Sequence, residues 1–393
     1  MQFLKCTVAV FLAAPIFGSG GNPDSGVTVH EWGTFTTIAD GAGGTEPWSP
    51  LGGASDLPCF VAHLNGLQYK TMPALPAAPA TQTVTVRMET PVLYFYSPRK
   101  TTVSVGVDFP NGLITEWYPT ASKVSPGPQL TLPPVRAGHI EWNAVEIAPG
   151  EKPVLPRGGG ASHYYAARNT DSEPLNVRLG REQEKFLFYR GIANFSVPLS
   201  ARLAGDRSVE LRDTGDDSLA LAVLFENRGG QIGYRVVRGL RGSSNVETPA
   251  LTGSLDRLKQ ELADALVSQG LYRKEADAMI ETWRDSWFEE GMRVFYLVPR
   301  TLVDRELPLS IQPAAAKIAR VFVGREEILS PYMRDRLMTA VASGNTETLD
   351  RFGRFLAPFL QQVKVTAAPS VAGYLTAKSE QAKQEFYSPA CVR

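Results

Sequence analysis

Residues 101–118, TTVSVGVDFPNGLITEWY, decide the fold class. Val103, Val105, Val107 and Phe109 alternate with Ser104, Gly106 and Asp108, the period-two pattern of a strand with one apolar face. Pro110-Asn111-Gly112 supplies turn chemistry, and Leu113 to Tyr118 reads as the returning strand of a hairpin. The same texture extends outward from Val27 to about Leu240. Further strands are expected at Val27 to Ile38, Val84 to Met88, Val92 to Tyr96, His139 to Ile147, Phe186 to Tyr189, Leu219 to Glu226 and Ile232 to Val237. Many short strands separated by Gly and Pro predict antiparallel β-sandwich units.

After Gly242 the pattern changes. Leu255, Leu258, Leu262 and Leu266 follow helical spacing behind a Ser254 cap, and Gly270 is placed to end that helix. A second helix is expected from about Lys274 to Glu290. Met292 to Val298 and Ile318 to Val323 read as buried strands. Ser330-Pro331 opens another helix, and Leu349, Phe352, Leu356 and Phe359 mark one that Pro358 should kink or end. The fold class is therefore mainly β with a C-terminal α+β part. The expected units are a signal peptide at 1–20, a β-sandwich unit at 25–150, a second β unit at 160–250, an α+β unit at 251–365 and a tail at 366–393. Loops are expected at Leu75 to Gln82, rich in Ala and Pro, and at Pro149 to Ser162, with its run Gly158-Gly159-Gly160.

The first residues predict export. Lys5 supplies charge, Cys6 to Phe17 form an apolar run, and Gly18-Ser19-Gly20-Gly21 offers small residues for cleavage. The run is shorter than the roughly 20 residues a membrane span needs, so no transmembrane segment is expected after cleavage, and the place of work is the periplasm or the medium. Lys plus Arg equals Asp plus Glu, 40 against 40, which leaves no global field for nucleic acid. Cleavage would remove Cys6 and leave Cys59 and Cys391, two thiols that an oxidising compartment could join.

Five segments carry a resemblance: His30-Glu31-Trp32-Gly33-Thr34-Phe35-Thr36, Glu89-Thr90-Pro91-Val92, His163-Tyr164-Tyr165-Ala166-Ala167-Arg168, Thr282 to Gly291, and Arg320-Val321-Phe322-Val323-Gly324-Arg325. Together they resemble an uncharacterised family of exported bacterial proteins. The resemblance implies bacterial export; it brings no activity and no functional residues with it.

No Gly-x-Ser-x-Gly elbow, His-Glu-x-x-His, Cys-x-x-Cys, phosphate loop or dinucleotide glycine pattern occurs. The histidines lie at 30, 63, 139 and 163. His30, His139 and His163 are candidate ligands for zinc or another divalent metal, with Glu141 or Glu31 as base, if these distant segments converge; otherwise they are unrelated core or surface histidines. Glutamate precedes tryptophan at Glu31-Trp32, Glu116-Trp117 and Glu141-Trp142, a pairing that suits a glycan surface, although strand geometry favours an inward Trp and an outward Glu. In the second helix Ala276, Met279, Ile280, Trp283 and Trp287 share a stripe opposite Glu281, Asp285 and Glu289. Glu290 projects near the stripe at the helix C-terminus, so it is either functional or paired with Arg293 or Arg300. Arg157, His163 and Arg168 flank the glycine run and are candidates for anion binding; a plain loop explains the glycines equally. The role expected is binding of a glycan, envelope component or protein partner. The alternative is a metal-assisted secreted hydrolase, and the sequence leaves open whether the chain is an enzyme.

Overall fold

The computed structural model describes residues 26–50, 57–64, 83–127, 133–158, 162–178, 180–364 and 371–378. The expected signal segment and Cys391 lie outside these residues, so the Cys59–Cys391 pairing does too. Eighteen strands run in chain order: β1 (Thr28–Ile38), β2 (Ala62–His63), β3 (Val86–Tyr96), β4 (Thr101–Phe109), β5 (Gly112–Tyr118), β6 (Lys123–Ser125), β7 (Gly138–Ile147), β8 (Leu175–Val177), β9 (Glu182–Glu184), β10 (Leu187–Ala193), β11 (Leu199–Leu203), β12 (Ser208–Asp213), β13 (Leu219–Arg228), β14 (Gln231–Leu240), β15 (Ser243–Glu247), β16 (Gly291–Val298), β17 (Leu309–Gln312) and β18 (Lys317–Ile328). The helices are α1 (Leu255–Ser268), α2 (Arg273–Trp287), α3 (Arg300–Glu306), α4 (Pro331–Ser343), α5 (Thr346–Asp350) and α6 (Leu356–Val363). A 3-10 turn spans His163–Arg168.

The chain is mostly β, with antiparallel sheets and C-terminal helices mixed among strands, as the alternation predicts. The expected units nevertheless do not map onto the sheets. One nine-stranded sheet, in the order β14-β13-β16-β18-β1-β3-β10-β5-β2, takes strands from all three expected segments. β1 pairs in parallel with β18, almost 300 residues later, and antiparallel with β3. A six-stranded sheet built on β4 and β7 and a three-stranded sheet of β11, β12 and β15 complete the β structure.

Both faces of the nine-stranded sheet are covered. One packs Phe35, Met88, Val294 and Phe322 against Val105 and Trp142 of the six-stranded sheet and Leu199 and Leu211 of the three-stranded sheet. This is the sandwich core that the alternation in β4 foretells. The other face packs Trp32, Val92, Phe188 and Val323 against Leu258, Leu262, Met279, Trp283 and Trp287 of α1 and α2. Ser254 caps α1 by accepting from the Arg257 amide, and the apolar stripe of α2 is buried as projected. A third cluster at the end of β1 joins Ile38 and Trp48 to α4, α5 and α6. The helix expected across Leu349 to Phe359 is instead broken into α5, a 3-10 turn at Gly353–Phe355 and α6. Pro358 falls in the first turn of α6, where its missing N–H costs nothing.

Candidate binding site on the helix-bearing face

Three neighbouring ladders of the central sheet break register at one level. Between β1 and β3, Trp32 pairs with Val92 and Thr34 with Glu89, so Gly33 stands against two residues, Thr90 and Pro91. Between β3 and β10 the break falls between Phe188 and Gly191. Between β10 and β5, Arg190 pairs with Glu116 and Gly191 with Ile114, leaving Thr115 extra. Such bulges re-aim side chains and cluster beside functional sites. Pro91, which cannot donate to a ladder, is accommodated by the bulge. Gly33 has no room for a side chain, since a Cβ there would lie 2.6 Å from Phe322 and 3.1 Å from Pro91. Thr90 adopts φ +48°, a left-handed conformation costly for a β-branched residue and typical of strained sites.

The bulge line aims Glu89 into a group of guanidiniums. Its carboxylate accepts from Arg354 and from Thr36 Oγ1 at 3.2 Å, with Arg87 Nε at 3.2 Å. Arg190 on β10 reaches Thr90 Oγ1 at 3.4 Å, and Arg325 on β18 extends the row. Burial by itself would lift the Glu89 carboxyl, but Arg354, Arg87, Arg190 and Arg325 outweigh it and hold the group below the ordinary carboxylate range. Arg87 shows the converse. Burial, with Arg190 and Arg354 adding to it, pushes its guanidinium down to about 10 despite Glu89 and Glu116. Arg87 and Arg354 form the partly open rim of the group, with side chains 13% and 20% exposed, while Glu89 is buried.

Segments 30–36, 89–92, 320–325 and 282–291 meet here. β18, β1 and β3 are adjacent strands, α2 lies across them, and the fifth segment, the turn His163–Arg168, packs on α2.

No family model matches the chain, and no curated protein matches it. Among solved structures it is similar to the yeast delta-COP-I mu-homology domain, at 7% identity over 77% of this chain and 96% of that one, with a TM-score of 0.29. A likeness so slight bears on neither fold nor function.

The residues singled out from sequence are distributed rather than gathered. His30 Nδ1 lies 2.8 Å from Glu275 on α2, His139 Nδ1 lies 2.8 Å from Asp108, and His163 Nε2 lies 2.8 Å from Asp285. Each has its own carboxylate, so the three do not form the expected metal set, and among the described residues no three His, Cys, Asp or Glu side chains gather to hold a metal ion. Glu141 stands 3.8 Å from His139 Nε2 on the six-stranded sheet. Glu31 is not available as a base for His30: it is fully buried on the opposite face, accepting from Tyr189 Oη and Arg320 Nε, both at 2.5 Å. Arg320 in turn reaches Asp304 at 2.9 Å. The outward-Glu expectation fails at Glu31 and Glu116 because the central sheet is buried on both faces; Glu141, in the outer sheet, is partly exposed.

Glu290 is ion-paired, but with neither expected partner. It accepts from Arg336, from Tyr332 Oη at 3.0 Å and from the Gly229 amide at 3.1 Å. Arg300 is committed to Asp304. Arg293 pairs with Glu327 at 2.7 Å and donates to the carbonyls of Trp287, Glu289 and Glu290, placing a cation on the unsatisfied end of α2. Of the expected anion-binding group, Gly159 and Gly160 lie outside the described residues and Arg157 is exposed. Arg168 is held by Glu184 at 2.6 Å and packs over Tyr165, so it is spent on an internal ion pair. The arginines around Glu89 escaped sequence reasoning because they come from four distant segments. One signal was present: a proline at 91 inside an otherwise strand-like run marks a bulge.

Proposed function

We propose that this chain is an exported bacterial protein that binds a component of the cell envelope through an anionic group, phosphate or carboxylate, at the bulge line. The carrying observation is the group of guanidiniums around Glu89 with Arg87 and Arg354 at its open rim. Glu89 orients the arginines, and Arg190 and Arg354 add to the burial that lowers the Arg87 guanidinium. Export, expected from the first residues, would bring such a site to the envelope.

Calorimetric titration at low salt with inorganic phosphate in one arm and D-glucuronate in the other tests it and separates the two anions. Saturable binding to one of them is expected, weakening as salt is raised, with Arg354→Gln weakening it by about tenfold. Absence of binding to both probes by folded protein, or an unchanged affinity in Arg354→Gln, overturns the reading.

A further inference from the structure

A second constellation lies on the same sheet face, about 20 Å along β1 from Thr36, and does not depend on the anion reading. Glu275, in the first turn of α2, is fully buried and accepts three hydrogen bonds. Tyr96 Oη donates to Oε1 at 2.7 Å, the Tyr272 amide donates to Oε2 at 2.7 Å, and His30 Nδ1 lies 2.8 Å from Oε2. A carboxylate at Nδ1 orients the ring, and in a neutral imidazole it places the proton on Nδ1 and leaves a lone pair on Nε2. That Nε2 is buried and has no hydrogen-bond partner among the described residues. A buried acceptor without a partner is costly and asks for an occupant.

The surroundings say what kind of occupant. The Tyr272 ring lies 4.5 Å from the imidazole and the Tyr96 ring 5.5 Å from it. Tyr272 is 47% exposed, and among the described residues it is the only aromatic in the set of strongly exposed large apolar side chains. Ala319, beside His30 on β18, adds little bulk. Among the described residues, three carboxylate or imidazole ligands for a metal are not assembled here, and Glu275 already accepts three hydrogen bonds. A neutral donor fits: a hydroxyl to fill Nε2, carried on a ring that can lie against Tyr272. We infer that His30, Glu275, Tyr96 and Tyr272 form a subsite for a neutral sugar, with His30 Nε2 accepting a hydroxyl hydrogen bond and Tyr272 as the movable stacking face. Glu275 and Tyr96 act through His30 as positioning residues.

Nitrogen-15 NMR of the full chain, histidine-labelled, tests both halves of the inference. In free protein His30 should show the tautomer protonated at Nδ1 with an unprotonated Nε2. Titration with chitotetraose and with maltotetraose should move the Nε2 resonance in the direction of hydrogen-bond acceptance for at least one of them. Tyr272→Ala, with its fold checked by circular dichroism, should weaken that sugar's binding by about tenfold, whereas Arg354→Gln should leave it unchanged. A doubly protonated or Nε2-protonated His30 overturns the inference, as does a wild-type Nε2 resonance that neither sugar moves. Equal sugar affinity in Tyr272→Ala and wild type also overturns it.

Discussion

Replacing Glu326 by glutamine should shift stability in the variant's favour as pH rises from mild acid to neutral. Glu326 lies on the sandwich face of β18, between Thr37 of β1 and Val294 of β16. It is fully buried, and neither carboxylate oxygen has a hydrogen-bond partner among the described residues. The nearby Tyr296 hydroxyl is equally unpartnered, its ring lying where a side chain on Gly324 would otherwise stand. Burial, with Asp40 adding to it, lifts the Glu326 carboxyl well above its ordinary value of 4.5. The folded state therefore takes up a proton that the unfolded chain has released at neutral pH. For an acid with a raised folded value, stability is complete below 4.5 and falls as pH rises toward the folded value. The cost grows as pH climbs above 4.5 and stops growing once pH passes the raised folded value. Glutamine removes that cost but brings an amide whose unpaired N–H groups forfeit about 1–3 kcal/mol, so Glu326→Leu is the companion variant. Urea unfolding followed by the fluorescence of the six tryptophans, from pH 4.5 to pH 8, gives the comparison. The gap between wild type and each variant should move in the variant's favour as pH rises from 4.5, with a slope of at most about 1.4 kcal/mol per pH unit. If the curves stay parallel across that range, the buried acid does not titrate between folded and unfolded states and the reasoning fails.

Other outcomes follow from the same geometry. Glu89→Gln should cost about 3–5 kcal/mol at neutral pH by leaving Arg87 and Arg354 uncompensated; because the Glu89 carboxyl is held low, the deficit should close only as pH falls through its depressed folded value, which thermal melts in acid and neutral buffer would show. Gly33→Ala places a methyl against Phe322 and Pro91 and should lower stability by about 1–3 kcal/mol, read as a drop in denaturant midpoint. Arg293→Met uncovers three carbonyls at the end of α2 and should destabilise by about 3 kcal/mol, with amide exchange quickening first in residues 283–290. Ser330→Ala removes the oxygen that accepts from the Met333 amide and should cost about 1 kcal/mol in the same unfolding assay.

Local chemistry was legible in the sequence, and long-range pairing was not. The alternation at Val103 to Phe109, the Ser254 cap and the stripe of α2 each depend on neighbours a few residues away, and each appears where the pattern places it. The two runs Val84–Met88 and Val92–Tyr96 are one strand, because Thr90 and Pro91 bulge out of the ladder without ending it. His30, expected as a metal ligand, meets a single carboxylate instead. Glu31, its neighbour, points to the opposite face as strand geometry requires, while the partner it meets, Glu275, is 245 residues away. Glu290 likewise found Arg336 across the fold rather than a nearby arginine. The arginines around Glu89 come from β3, β10, β18 and the segment before α6, so no spacing rule could have assembled them.

The parallel pairing of β1 with β18 also sets an order of events. β1 is a central strand, and one of its two neighbours is made of residues 317–328. Until that stretch is available, β1 has an open edge and the sheet is two separate halves, so neither the first 250 residues nor the remainder holds a closed core. Contacts of such sequence separation are slow to form. A nascent chain would stay unclosed through most of its synthesis, and a chain threaded lengthwise through a narrow channel would complete its central sheet only after nearly all of it had emerged. Fragments ending before residue 317 should accordingly fail to fold, while joining β1 directly behind β18 in a permuted chain should let that pair form first.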